Sequence, residues 1–164
     1  MIRIAFALFA PIALSACGLQ PIYAGSSGQG AVADLSAVEI APIEGRVGWL
    51  VASALEDRVS LRQSDAAPRY RLDVQLDDSL ESLGLLSDET VTRERRILRA
   101  RYQLIDLSSG SIVLDATAGS DSGIDVVSSD YATIAAERAA VERLSQVVAD
   151  QIVTRVSLAL RRRN

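Results

Sequence analysis

The chain contains no histidine and no lysine, and only one cysteine, one tryptophan and one methionine among 164 residues. Without histidine the usual general base near neutral pH is missing. With lysine absent as well, nothing ordinary remains to activate the many serines as nucleophiles. A zinc site would have to be built from carboxylates alone, against the metal's preference for nitrogen and sulfur, so no metal and no cofactor is expected. A lone cysteine, Cys17, cannot close a disulfide within the chain. The 17 basic residues are all arginine, which a GC-rich genome explains without any functional reason. They are outnumbered by 21 acidic residues, for a formal charge of −4, a poor balance for general nucleic-acid binding. No apolar run approaches the roughly 20 residues of a membrane-spanning helix. Catalysis is thereby reduced to a carboxylate-based hydrolase as the one surviving enzymatic alternative, and a non-enzymatic role is the expectation.

What is present begins at the N-terminus. Met1-Ile2-Arg3 opens a short apolar stretch through Ala13, followed by Leu14-Ser15-Ala16-Cys17. One positive charge, a brief apolar core and small residues before the break mark a secretory signal over residues 1–16. An aliphatic residue, two small residues and then cysteine resemble the lipobox of bacterial lipoproteins, in which the thiol carries a thioether-linked diacylglycerol. An ordinary secreted protein with a chance cysteine is the other reading. Lipidation would make Cys17 the membrane anchor, since two or three acyl chains hold firmly where one is marginal. Gly18 stands where aspartate would signal retention in the inner membrane, so by resemblance to lipoprotein sorting the destination is the outer membrane, on its periplasmic face. Residues 17–33 then read as a lipidated flexible tether. Its segment 24–33 is small and polar, with an expected span of about 17–19 Å.

A single α+β domain is expected over 34–164. Residues 35–40 read as a short strand ended by Pro42 and Gly45. A helix follows over 46–63, with Val47, Leu50, Val51, Ala54, Leu55 and Leu61 on one stripe and Arg58 inside it, tolerable if its head reaches water. Tyr70, Leu72, Val74 and Leu76 alternate with polar residues, the clearest strand of the chain, and a loop containing Gly84 and Asp88 follows. A strand over about 91–107 puts Leu98, Ala100, Tyr102 and Leu104 on one face. Ser108-Ser109-Gly110 turns the chain into Ile112, Leu114, Ala116 and Ala118, after which 119–129 reads as a polar loop. Ser128, Ser129 or Asp130 can cap a last helix over 131–163. At 1.5 Å per residue that helix approaches about 45–50 Å, so it either overhangs the sheet or breaks. Arg161-Arg162-Arg163 suit the negative end of its dipole, with a nucleic-acid contact as the lesser alternative. The fold class is a two-layer sandwich, a four-stranded sheet with two helices packed on one face in the order β-α-β-β-β-α.

Two features offer candidate sites. Trp49 falls on the polar side of the first helix with Ser53, Glu56 and Ser60, as a partner contact or as a residue covered by a neighbouring loop. Arg93, Arg95, Arg99 and Arg101 share the sheet face that the helices leave free. One register compatible with the apolar faces pairs Asp73 with Arg99 and Asp77 with Arg95. The ladder is then a solvated face of cross-strand ion pairs, or four Arg over two Asp leave surplus charge for the phosphates of a glycolipid.

The lipobox, the start Cys17-Gly18-Leu19-Gln20-Pro21-Ile22-Tyr23, the order of elements and the helix opening Tyr131-Ala132-Thr133-Ile134-Ala135-Ala136-Glu137-Arg138 resemble the LptE family of lipopolysaccharide-assembly lipoproteins, its alphaproteobacterial branch in particular. The resemblance implies a non-enzymatic protein that plugs the large outer-membrane β-barrel LptD, helps it assemble and contacts lipopolysaccharide on its way outward. The family's lipid-contacting basic residues near the second hairpin tip and before the last helix have no counterpart here, because 84–89 and 119–129 contain no arginine. An auxiliary periplasmic lipoprotein of a phospholipid ABC-type transport system shares the anchor and size and is the alternative.

Overall fold

A computed structural model describes residues 35–60, 67–85 and 91–163. The signal peptide, Cys17 and the tether lie outside the described residues, as does the end of the helix expected to reach residue 63. The elements are β1 (Val38–Ile40), α1 (Gly45–Ser60), β2 (Tyr70–Leu85), β3 (Val91–Asp106), β4 (Ile112–Asp125) and α2 (Asp130–Arg161). Their order is the expected one, in a single sheet ordered β1-β2-β3-β4. β1 runs parallel to β2, while β2, β3 and β4 form an antiparallel meander.

β1 begins at Val38, later than expected, because Leu35, buried at 2% exposure, is helical and Ser36 and Ala37 form a turn. Pro42 has no N–H to extend the strand, and Gly45, at φ +80°, opens α1. Val51, Ala54 and Leu55 are buried along the stripe anticipated for this helix, Val47 and Leu50 are half-buried, and Val59 joins them from outside the expected set. Gly48 is buried too, and only glycine fits there: a Cβ would lie 2.6 Å from the Ile43 carbonyl oxygen. Arg58 does more than reach for water. Its Nε donates to Asp150 at 2.6 Å and its Nη1 to the Ala54 carbonyl at 2.6 Å, tying α1 to α2.

The apolar faces of the meander meet as the alternation requires. Tyr70, Leu72, Leu98, Ala100, Tyr102, Leu104 and Ala118 are buried against Leu144, Val148, Ile152 and Val156 of α2. Two boundaries differ from expectation. β2 runs on to Leu85, and β4 continues to Asp125 through the stretch expected to be a polar loop, leaving only 126–129 as the connection. Gly119, Ser120 and Ser122 are poor strand formers, but β3 is long enough to pair them, and strand preference yields to pairing context. The register differs as well: Asp73 faces Gln103, Asp77 faces Arg99 and Glu81 faces Arg95. That is a shift of four residues from the expected pairing. Any even shift keeps the same side chains on the same face, so alternation alone does not select among them.

α2 is one continuous helix of 32 residues, about 48 Å long. The 16-residue strands β2 and β3 reach a similar roughly 53 Å, so the helix does not outrun its sheet as the shorter expected strands implied. Ser129 is the N-cap, accepting from the Ala132 N–H. At the other end Arg163 donates to Asp106 at 3.2 Å, so part of the terminal arginine run is bound within the fold.

Candidate functional site

The face of the sheet turned away from the helices carries the arginine ladder, and each member has a distinct environment. Arg93 lies 3.3 Å from Asp125, Arg95 lies 2.7 Å from Glu81, and Arg101 lies 3.1 Å from Asp115. Asp115 also accepts from Gln103 at 2.9 Å. These hydrogen bonds raise the Arg95 and Arg101 guanidinium pKa values, and the Arg101 bond, ahead of that from Gln103, lowers the Asp115 carboxyl. Arg99 has no ion-pair partner among the described residues, although Asp77 faces it across the strands. Glu81, Asp115, Asp121 and Asp125 join Asp73 and Asp77 on this face, so the four arginines are not in surplus over its acids. Three of the four arginines are therefore held in ion pairs, and Arg99 is the ladder member without one among the described residues.

Arg99 lines an open groove of about 720 Å³ with Gln75, Asp77, Ile97, Arg101 and Asp121. Gly119 forms part of its floor: a Cβ there would sit 3.3 Å from the Arg99 Cγ and 3.2 Å from the Leu98 carbonyl. The groove combines the guanidinium groups of Arg99, Arg101 and Arg155 with the carboxylates of Asp77 and Asp121 and the apolar Ile97. It suits a polar ligand with an anionic group better than a general anion surface. Among the described residues no cluster of His, Cys, Asp or Glu could hold a metal ion.

A second charge pair escaped the sequence reasoning. Arg96 points to the helix side and holds Asp78 through two bonds of 2.8 and 2.6 Å. That hydrogen-bonded pair raises the Arg96 guanidinium pKa despite partial burial. The doublets Asp77-Asp78 and Arg95-Arg96 were the available signal, since two adjacent charges on a strand must lie on opposite faces.

Trp49 stands 67% exposed on α1, and no described loop covers it. It is remote in role from the ladder: the tryptophan lies on a helix and the arginines on the far face of the sheet. No described helix is long and apolar enough to cross a membrane.

Comparison with known proteins gives the chain its relatives. Its backbone resembles that of a candidate lipoprotein from Caulobacter crescentus CB15, with a TM-score of 0.67 at 23% identity over 82% of this chain and 98% of that one. The rare lipoprotein B from Shewanella oneidensis follows with a TM-score of 0.58 at 12% identity, over 74% and 93% of the two chains. A minor lipoprotein from Acinetobacter baumannii gives 0.57 at 15% identity, over 74% and 91%. At these identities the likeness establishes a shared fold. No curated protein matches the sequence. The family model described as LptE, lipopolysaccharide-assembly, matches residues 34–156. That match spans the described fold from the turn before β1 to the last stretch of α2, and this chain belongs to the LptE family of lipopolysaccharide-assembly proteins.

Proposed function

We propose that this protein is an outer-membrane lipoprotein, anchored through Cys17 on the periplasmic side, that plugs the β-barrel LptD, supports its assembly and assists delivery of lipopolysaccharide to the outer leaflet. It acts by binding and has no catalytic step. The observation that carries this reading is the family match over 34–156. Trp49, exposed on α1, is assigned to the partner contact, because large aromatics dominate interface energetics when they are buried by a partner. Lipopolysaccharide contact on the arginine face is assigned to Arg99 first, since Arg93, Arg95 and Arg101 already hold carboxylates. The test is co-purification of the membrane-anchored chain with LptD from its own envelope. Recovery with an inner-membrane transport complex in place of the barrel would replace this reading with the phospholipid one.

A further inference from the structure

We propose that the free edge of β2, over residues 74–82, is the docking site for an extended segment of the barrel partner, which adds to the sheet as a fifth strand. The proposal takes its partner from the function inferred above and its geometry from the sheet. β1 covers only the start of β2: the Ala41 N–H reaches the Leu72 carbonyl at 3.0 Å, and Pro42 then ends the pairing. Main-chain groups on one side of a strand recur every second residue. Those of Val74, Leu76, Asp78, Leu80 and Ser82 therefore point the same way as those of Leu72, and no described strand meets them. Asp78 shows the consequence. Its side chain keeps 21% exposure in the pair with Arg96, yet the residue as a whole is exposed, so its main chain faces water. The open edge is about 30 Å long.

The opposite edge of the sheet is covered at its middle. Gln151 of α2 accepts from the Gly119 N–H at 3.2 Å and donates to the Gly119 carbonyl at 3.3 Å, and Arg155 donates to the Thr117 carbonyl at 2.9 Å. The Gln151 amide thus occupies β4 much as a neighbouring strand would. An unpaired edge is a standing template for strand addition, and proteins normally block it. Here α2 interrupts the β4 edge at Thr117 and Gly119, whereas no described side chain or strand interrupts the β2 edge beyond Leu72.

The surroundings of the open edge define what it accepts. On the helix side Leu80 is 44% exposed, and on the other side Asp77 has no partner among the described residues. An incoming strand would carry an apolar residue toward Leu80 and a basic one toward Asp77, with main-chain bonds providing affinity and the alternate side chains selectivity. A second copy of this chain is the wrong occupant. Antiparallel pairing of two β2 edges brings Asp77, Asp78 and Glu81 of one copy beside the same residues of the other, and like charges across strands repel.

Amide hydrogen exchange on the full chain, free and in complex with LptD, tests this. In the free protein the amides of 74–82 that point outward exchange rapidly, and in the complex they slow by about tenfold or more. Leu80→Pro removes one outward N–H without touching the ladder to β3, and should weaken the complex by about three- to tenfold with the far-UV spectrum unchanged. A complex that forms with these amides still unprotected overturns the docking site while sparing the partnership. Failure of any complex to form overturns both. Protection already present in the free chain would show the edge closed from within and would also overturn the proposal.

Discussion

Gly48 illustrates how narrowly a single position is constrained. Because a Cβ there meets the Ile43 main chain at 2.6 Å, the neighbour cannot yield by rotating a side chain, and Gly48→Ala should lower stability by about 1–3 kcal/mol. Thermal unfolding checks this, and an unchanged midpoint would refute it. Asp106 sets a pH dependence. Its carboxyl accepts from the Ser108 hydroxyl at 2.6 Å, which with the Ser108 N–H and Arg163 holds its pKa below the usual value. Asp115 and Asp150 are lowered as well, by Arg101 and Arg58 respectively. Lowered carboxylates bind protons less readily folded than unfolded. Their contribution is therefore complete above about pH 4 and is lost as pH falls through the lowered folded values. Denaturant titrations should show stability dropping on that acid limb, and Asp106→Asn should shrink the drop. Arg99→Glu should reduce lipopolysaccharide binding in a salt-dependent assay with folding intact, whereas Arg101→Glu also breaks the pair with Asp115. Equal binding by wild type and Arg99→Glu would leave the face a solvated surface.

At the scale of elements, α2 both covers the core and caps the β4 edge at Thr117 and Gly119. Gln151→Ala should leave the fold in place but free the Gly119 edge, so concentration-dependent association should rise in light scattering. No change in association would show that the edge is guarded by other means. Little of this device was legible beforehand, because a polar residue on a helix acquires meaning only from the strand edge it happens to reach. The strand around Leu72 and Val74 was readable from strict alternation, as was the buried stripe of α1. The far half of β4 was not. Gly119, Ser120 and Ser122 look like a loop, and only their pairing with Arg99, Leu98 and Arg96 makes them strand. Register was likewise hidden, since period-two patterning is blind to even shifts. The arginine face was legible as a face, but its partners Glu81 and Asp125 depended on strand lengths that local composition understates.

For the whole molecule, family membership and the open surfaces point the same way. The domain exposes Trp49 on a helix and the β2 edge on the sheet, and the proposed partner is a large β-barrel. Trp49→Ala should weaken the complex with LptD by about 2 kcal/mol or more while leaving the isolated domain nearly as stable as before. A large loss of stability with undiminished binding would contradict the assignment. The central claim is the partnership itself. It is tested most directly by depleting this chain from its own cells and following the LptD barrel by heat-modifiable mobility together with surface lipopolysaccharide. The expected result is unfolded barrel and loss of surface lipopolysaccharide, restored by the wild-type chain and not by Cys17→Ala. A barrel that folds and exports lipopolysaccharide normally without this protein would contradict the claim.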